Sequence, residues 1–134
     1  MLLACATLLC ACDLQADTVE SGYATLAEAR QDELFERGWL PDILPPSTRD
    51  IRTNNNLDHN TSTGEFSFDP KDAPAFIARL KPGTFPAMKF ADWNDIVDAQ
   101  AASGRRAWSY RGGGEHGWVF FCDLRKGHCE YMLS

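Results

Sequence analysis

Trp118-Val119-Phe120-Phe121-Cys122-Asp123-Leu124-Arg125-Lys126-Gly127-His128-Cys129-Glu130-Tyr131-Met132-Leu133 reads as two strands joined by a tight turn. The first part is an unbroken apolar run, the last part alternates apolar and polar side chains, and the polar stretch between them holds one glycine. With Leu124 to Gly127 as the loop and Gly127 in the left-handed position, Cys122 and Cys129 stand directly opposite each other across the two strands. In an oxidising compartment that placement favours a disulfide. Free buried thiols are one alternative. A metal site built from Cys122, His128 and Cys129 is another, although adjacent residues of a strand point to opposite faces and converge poorly.

Upstream, Arg106 to Arg111 forms a further strand, and Gly112-Gly113-Gly114 links it to the hairpin. Asp92 to Ala102 is a short helix with Trp93, Ile96 and Val97 inward. Asp69-Pro70 opens another, with Asp69 as cap, Pro70 at the first position and Phe76, Ile77 and Leu80 as its buried stripe. Gly64-Glu65-Phe66-Ser67-Phe68-Asp69 alternates cleanly and pairs with the weaker alternation of Arg49 to Leu57, so that Phe66 and Phe68 face inward. Thr25-Leu26-Ala27-Glu28 has the capping-box pattern and predicts a helix running to Gly38. Between that helix and Arg49, Trp39-Leu40-Pro41-Asp42-Ile43-Leu44-Pro45-Pro46 is an extended segment clamped on the core, because its prolines exclude a helix or a central strand. Hairpin-spaced strands that follow helices, without βαβ alternation, give the α+β class. The expected architecture is one domain over residues 18–134, an antiparallel sheet with two or three short helices packed on it.

The chain has 134 residues, 44% hydrophobic and 24% charged, which suffices for one domain. With 13 Lys and Arg against 19 Asp and Glu, the net charge of -6 argues against nucleic acid and anionic lipid headgroups as partners. Met1 to Cys12 contains no charged residue. This segment is too short for the roughly 20 residues of a spanning helix and matches the apolar core of a secretory signal. Its end, Leu9-Cys10-Ala11-Cys12, resembles a bacterial lipobox. The expectation is a signal peptide at 1–11, Cys12 acylated as the first mature residue, and a leash at 12–17. The competing site Leu2-Leu3-Ala4-Cys5 has almost no apolar segment before it, and a buried N-terminal element with unrelated cysteines is the alternative.

Tyr23, Ala29 in its short helix, Gly38-Trp39-Leu40-Pro41, Ile43-Leu44-Pro45, Ile51, Asn60 and the Phe66-x-Phe68 strand carry a likeness to a known family. Over residues 21 to about 80 the sequence resembles small bacterial envelope proteins with a YbbD-type head domain. That family is defined by its fold. The resemblance implies an envelope location and no particular activity, substrate or catalytic residue.

Three groupings could carry chemistry. Asp58 and His59, with Glu65 nearby, could act as a general base or bind a metal. A turn stabilised by Asn and Asp side chains explains the same residues. Gly112 to Gly114 lacks the Lys and Ser or Thr of a phosphate loop and reads as a hairpin loop. Trp108, Tyr110 and Arg111, beside Arg105 and Arg106, could form a strip that contacts a glycan or a peptide. The function expected is a lipid-anchored envelope module that binds another envelope protein or a toxin, inhibitor-like or immunity-like, with no cofactor, metal or catalysis. A small periplasmic hydrolase or metal-dependent enzyme at Asp58, His59 and Glu65 is the alternative.

Overall fold

A computed structural model describes residues 17–134, so Cys12 and the lipobox-like segment before it lie outside the described residues. Seven strands make one sheet: β1 (Thr18–Thr25), β2 (Arg49–Asn56), β3 (Thr61–Ser67), β4 (Lys81–Pro82), β5 (Arg106–Arg111), β6 (Gly117–Asp123) and β7 (His128–Leu133). Their spatial order is β1-β2-β3-β7-β6-β5-β4, and each neighbouring pair is antiparallel. β7, last in sequence, therefore sits in the middle.

The unbroken apolar run of β6 follows from this position, because both of its faces are covered. On the first face Trp118, Phe120 and Cys122 join Phe66, Phe68, Phe76 and Tyr131 in the larger core. On the second, Val119 and Phe121 pack with Trp93, Ile96 and Val97 in a smaller one. β7 alternates because only its first-face residues, Cys129, Tyr131 and Leu133, are fully buried.

The α+β class expected from the sequence is corrected by this architecture. The protein is mainly β, and its helices among the described residues are α1 (Leu26–Gln31), α2 (Ala73–Ile77), α3 (Trp93–Ala102) and a 3-10 turn at Pro70–Asp72. The first helix starts at the expected cap, with the Thr25 hydroxyl accepting the Glu28 N–H at 3.2 Å, but ends after six residues. Glu33 takes a left-handed φ of 57°, which a continuing right-handed helix does not permit, and turns carry the chain to Gly38. Leu34 thus covers the first face from a turn where a helix was expected, and Leu40, Ile43 and Leu44 cover it from the non-helical segment expected to clamp on the core. β1 and β4 were not anticipated, since neither shows an apolar alternation. No helix among the described residues is long and apolar enough to cross a membrane.

Cys122 and Cys129 are direct partners in the β6–β7 ladder, with their sulfurs 2.02 Å apart, at disulfide distance. The sequence separation is only 7 residues. Closing so short a loop removes less unfolded-state entropy than the roughly 3 kcal/mol of a 15-residue loop. Double replacement by Ala is expected to leave a folded protein with a modestly lower melting temperature and faster amide exchange in β7. Two freely alkylated thiols in the non-reduced native protein would refute the bond.

Candidate functional site

The strand periodicity of two sorts side chains between the faces. On β1 to β3 and β7, Glu20, Arg52, Asn54, Thr63, Glu65, Glu130 and Met132 share the second face, as the ladder registers require. α3 packs over the β5–β6–β7 side of that face, through Trp93, Ile96 and Val97, and leaves the β1–β2–β3 side open. The step between them is a groove of about 770 Å³, with Ile96 and Gln100 as one wall, the sheet as floor, and Glu20 to Gly22 of β1 as the far rim.

Two polar clusters set its character. Glu65 on β3 lies 3.4 Å from His128 Nε2 and 3.9 Å from Arg52. Glu130 on β7 accepts a hydrogen bond from the Gln100 amide and lies 3.5 Å from Arg105, which itself donates to Gln100 Oε1 at 3.1 Å. Such part-exposed pairs contribute little stability, but they fix the carboxylate positions, and the Glu130 cluster ties Gln100 of α3 to β7. Glu20 has no ion-pair partner among the described residues.

Beneath the floor, on the first face, the buried Ser62 hydroxyl donates to Asn55 Oδ1 at 2.6 Å and is 2.9 Å from the Tyr131 hydroxyl. Burial pushes the Tyr131 phenol well above its ordinary range, only partly opposed by the Ser62 hydrogen bond, so it stays protonated. Gly64 is required there: a Cβ would stand 2.0 Å from the Arg52 carbonyl oxygen and 2.7 Å from the Tyr131 ring. The neighbouring Thr53 hydroxyl is buried and, among the described residues, has no hydrogen-bond partner. Thr53→Val is therefore expected to be neutral or to stabilise by up to about 1 kcal/mol, because it removes an unsatisfied polar group at constant shape. A urea titration that showed a loss of stability would reveal a partner for the hydroxyl.

The sequence-derived sites are dispersed. Asp58 and His59 occupy the exposed turn between β2 and β3, where the His59 N–H donates to Asn56 Oδ1 at 3.0 Å. Glu65 is farther along β3, roughly 15–20 Å of extended chain away, and its histidine partner is His128. Trp108 is a core residue at 3% exposure, and Tyr110 stacks beside Trp118 with centroids 6.0 Å apart. Arg111 points to the other face, where its guanidinium lies 4.3 Å from the Phe85 ring centroid. These three residues thus do not share one surface. Cys122 and Cys129 face the first core while His128 is on the second face, which separates the three residues of the rival metal site. Among the described residues no group of three or more His, Cys, Asp or Glu is placed to hold a metal ion. Ser67 is the direct ladder partner of His128, but no hydrogen bond joins its hydroxyl to the ring. The arrangement can orient a ligand; it holds no activated nucleophile among the described residues.

Glu20, Arg52, Gln100 and Glu130 were missed in the sequence, and Arg105, read there as part of a strip with Trp108 and Tyr110, pairs instead with Glu130. For Glu20, Arg52 and Glu130 the signal is the register of β1 on β2 and of β3 on β7, and for Gln100 it is the packing of α3 over the sheet, all invisible without the sheet order.

Residues 17–67 match the family model of the YbbD head domain. The likeness seen in the sequence to residue 80 or so is thereby shown over this stretch, which comprises β1, α1, the covering turns, β2 and β3. No curated protein and no solved structure gives a significant match to the chain.

Proposed function

We propose, from the YbbD head domain in residues 17–67 and the groove it helps to build, that this chain is a non-catalytic, lipid-anchored binding module of the bacterial cell envelope. The groove on the second face is its ligand surface, and an envelope protein is its ligand. The single observation that carries the reading is the open half of the second face. A sheet that buries both faces at β6 leaves β1 to β3 uncovered beside an α3 wall, with carboxylates fixed in place and apolar Ile96 and Met132 beside them. A concave, mixed-polarity surface with oriented polar groups is what specific recognition uses. Anchoring through acyl chains on Cys12 fits the short apolar segment that precedes it.

The test is affinity capture from envelope extract with the full chain and with Asn54→Arg, which puts a long cation on the exposed floor without touching the core. A stoichiometric protein retained by the native chain and lost by the folded variant supports the reading. Equal capture by both would reject the groove as the ligand surface. Cys12→Ser is expected to release the exported protein from the membrane fraction, and a salt-resistant membrane-bound variant would reject the anchor. Loss of activity in folded His59→Ala would favour a hydrolase instead.

A further inference from the structure

We infer that the outer edge of β1 is a strand-addition site: an extended segment of the partner, with an aromatic residue two positions before a Lys or Arg, pairs antiparallel with Glu20 and Gly22. The inference rests on the groove as ligand surface and names how the ligand enters it.

The backbone decides which groups are available. The Leu57 N–H donates to the Asp17 carbonyl at 2.8 Å, so these two residues form a hydrogen-bonded pair of the antiparallel ladder. The unbroken register from Thr18↔Asn56 to Tyr23↔Ile51 then gives the inward bonds to Val19, Ser21 and Tyr23. Glu20, Gly22 and Ala24 direct their N–H and C=O groups outward. The Ala24 N–H is already taken by the Glu28 carboxylate at 2.8 Å. Among the described residues nothing bonds the outward groups of Glu20 and Gly22.

Sheet edges are ordinarily guarded by Lys, Pro, bulges or brevity. The far edge follows this rule, since β4 is two residues long and ends in Pro82. β1 is eight residues long and contains neither Lys nor Pro.

The side chains on the same two residues specify what binds. In an added antiparallel strand, the residues opposite Glu20 and Gly22 place their side chains on the groove face. Glu20 is exposed and among the described residues has no ion-pair partner, whereas the groove's other carboxylates, Glu65 and Glu130, are already paired, so Glu20 is the one that calls for a cation. Gly22 leaves a gap, because a Cβ there would meet only the Ile51 carbonyl oxygen, at 4.0 Å. Its ladder partner Arg52 has a side chain 78% exposed, available to stack on an aromatic ring filling that gap. Antiparallel direction puts the residue opposite Gly22 first, which yields aromatic-x-basic. A second copy of this chain fits less well: a twofold pairing centred on Ser21 sets Glu20 against Gly22, offers no cation, and joins two chains of net charge -6.

The probe is a fluorescein-labelled peptide, acetyl-Thr-Val-Phe-Thr-Lys-Val-Thr-amide, titrated against the full chain by anisotropy. Saturable binding is expected. Glu20→Lys should weaken it about tenfold, and a peptide with Glu in place of Lys should restore it. N-methylation of the Phe or Lys amide, both of which face β1, should weaken binding about tenfold or more, while N-methylation of the intervening Thr amide leaves it unchanged. No binding, equal loss with all three methylated peptides, or a dimer in sedimentation that the peptide does not dissociate would overturn the proposal. If the peptide fails while capture still depends on Asn54, strand addition alone falls; if both fail, the groove reading falls with it.

Discussion

Gly127→Ala is expected to destabilise the protein by roughly 3–5 kcal/mol, at the upper end of what single substitutions do. Gly127 has a φ of 65° in the β6–β7 turn, where an L side chain alone costs about 1–2 kcal/mol. An added Cβ would stand 2.0 Å from the Phe68 carbonyl oxygen and 3.1 Å from Pro70 Cδ. The turn cannot move aside freely, because the Phe68 N–H donates to the Gly127 carbonyl at 2.8 Å. Gly104→Ala separates the two contributions: its φ is 84°, but nothing lies within 4 Å of an added Cβ. That variant should lose only the conformational part, about 1–2 kcal/mol. Urea unfolding of both decides the matter, and equal losses would show that the contact with Phe68 relaxes without penalty.

Phe120→Ala is expected to cost about 3–5 kcal/mol. Phe120 is fully buried at the centre of β6 and meets Phe66 and Phe76 edge-on, with centroids 6.0 and 5.5 Å apart. Removing its ring leaves a cavity between the sheet and α2, and part of the edge-to-face attraction is lost with it. Phe120→Leu keeps most of the volume and should cost about 1–2 kcal/mol. A loss below 1 kcal/mol in Phe120→Ala, measured by thermal and urea unfolding, would mean that the first core collapses around the gap.

The hairpin, the β2–β3 pair and the strand at Arg106 to Arg111 were legible because their signals are local: alternation, an apolar run, a glycine in a polar turn. The inward placement of Phe66 and Phe68 followed from the same alternation and is met in the structure, where both are fully buried. The helical share was overestimated for an equally physical reason. A capping box announces where a helix starts, but six residues satisfy it, and the left-handed Glu33 that ends α1 has no sequence signature comparable to glycine. β1 was hidden because one of its faces lines a polar groove and Tyr23 is its only buried residue. The groove itself could not be read at all. Glu65 and His128 are 63 positions apart in sequence, and only the insertion of β7 beside β3 brings them together.

That insertion also governs the order in which the fold can form. β1-β2-β3 and β4-β5-β6 are each meanders of neighbours in sequence, and neither contacts the other in the ladder without β7 between them. Until β7 is in place, β3 and β6 are two bare edges, and one of them is the most apolar of the described strands. Commitment to the native state must therefore wait for a contact such as Phe66 with Cys129, which closes a loop of some 60 residues. A chain halted before Leu124 would present β6 unpaired on that side, a surface suited to capture by holding chaperones or by other incomplete chains.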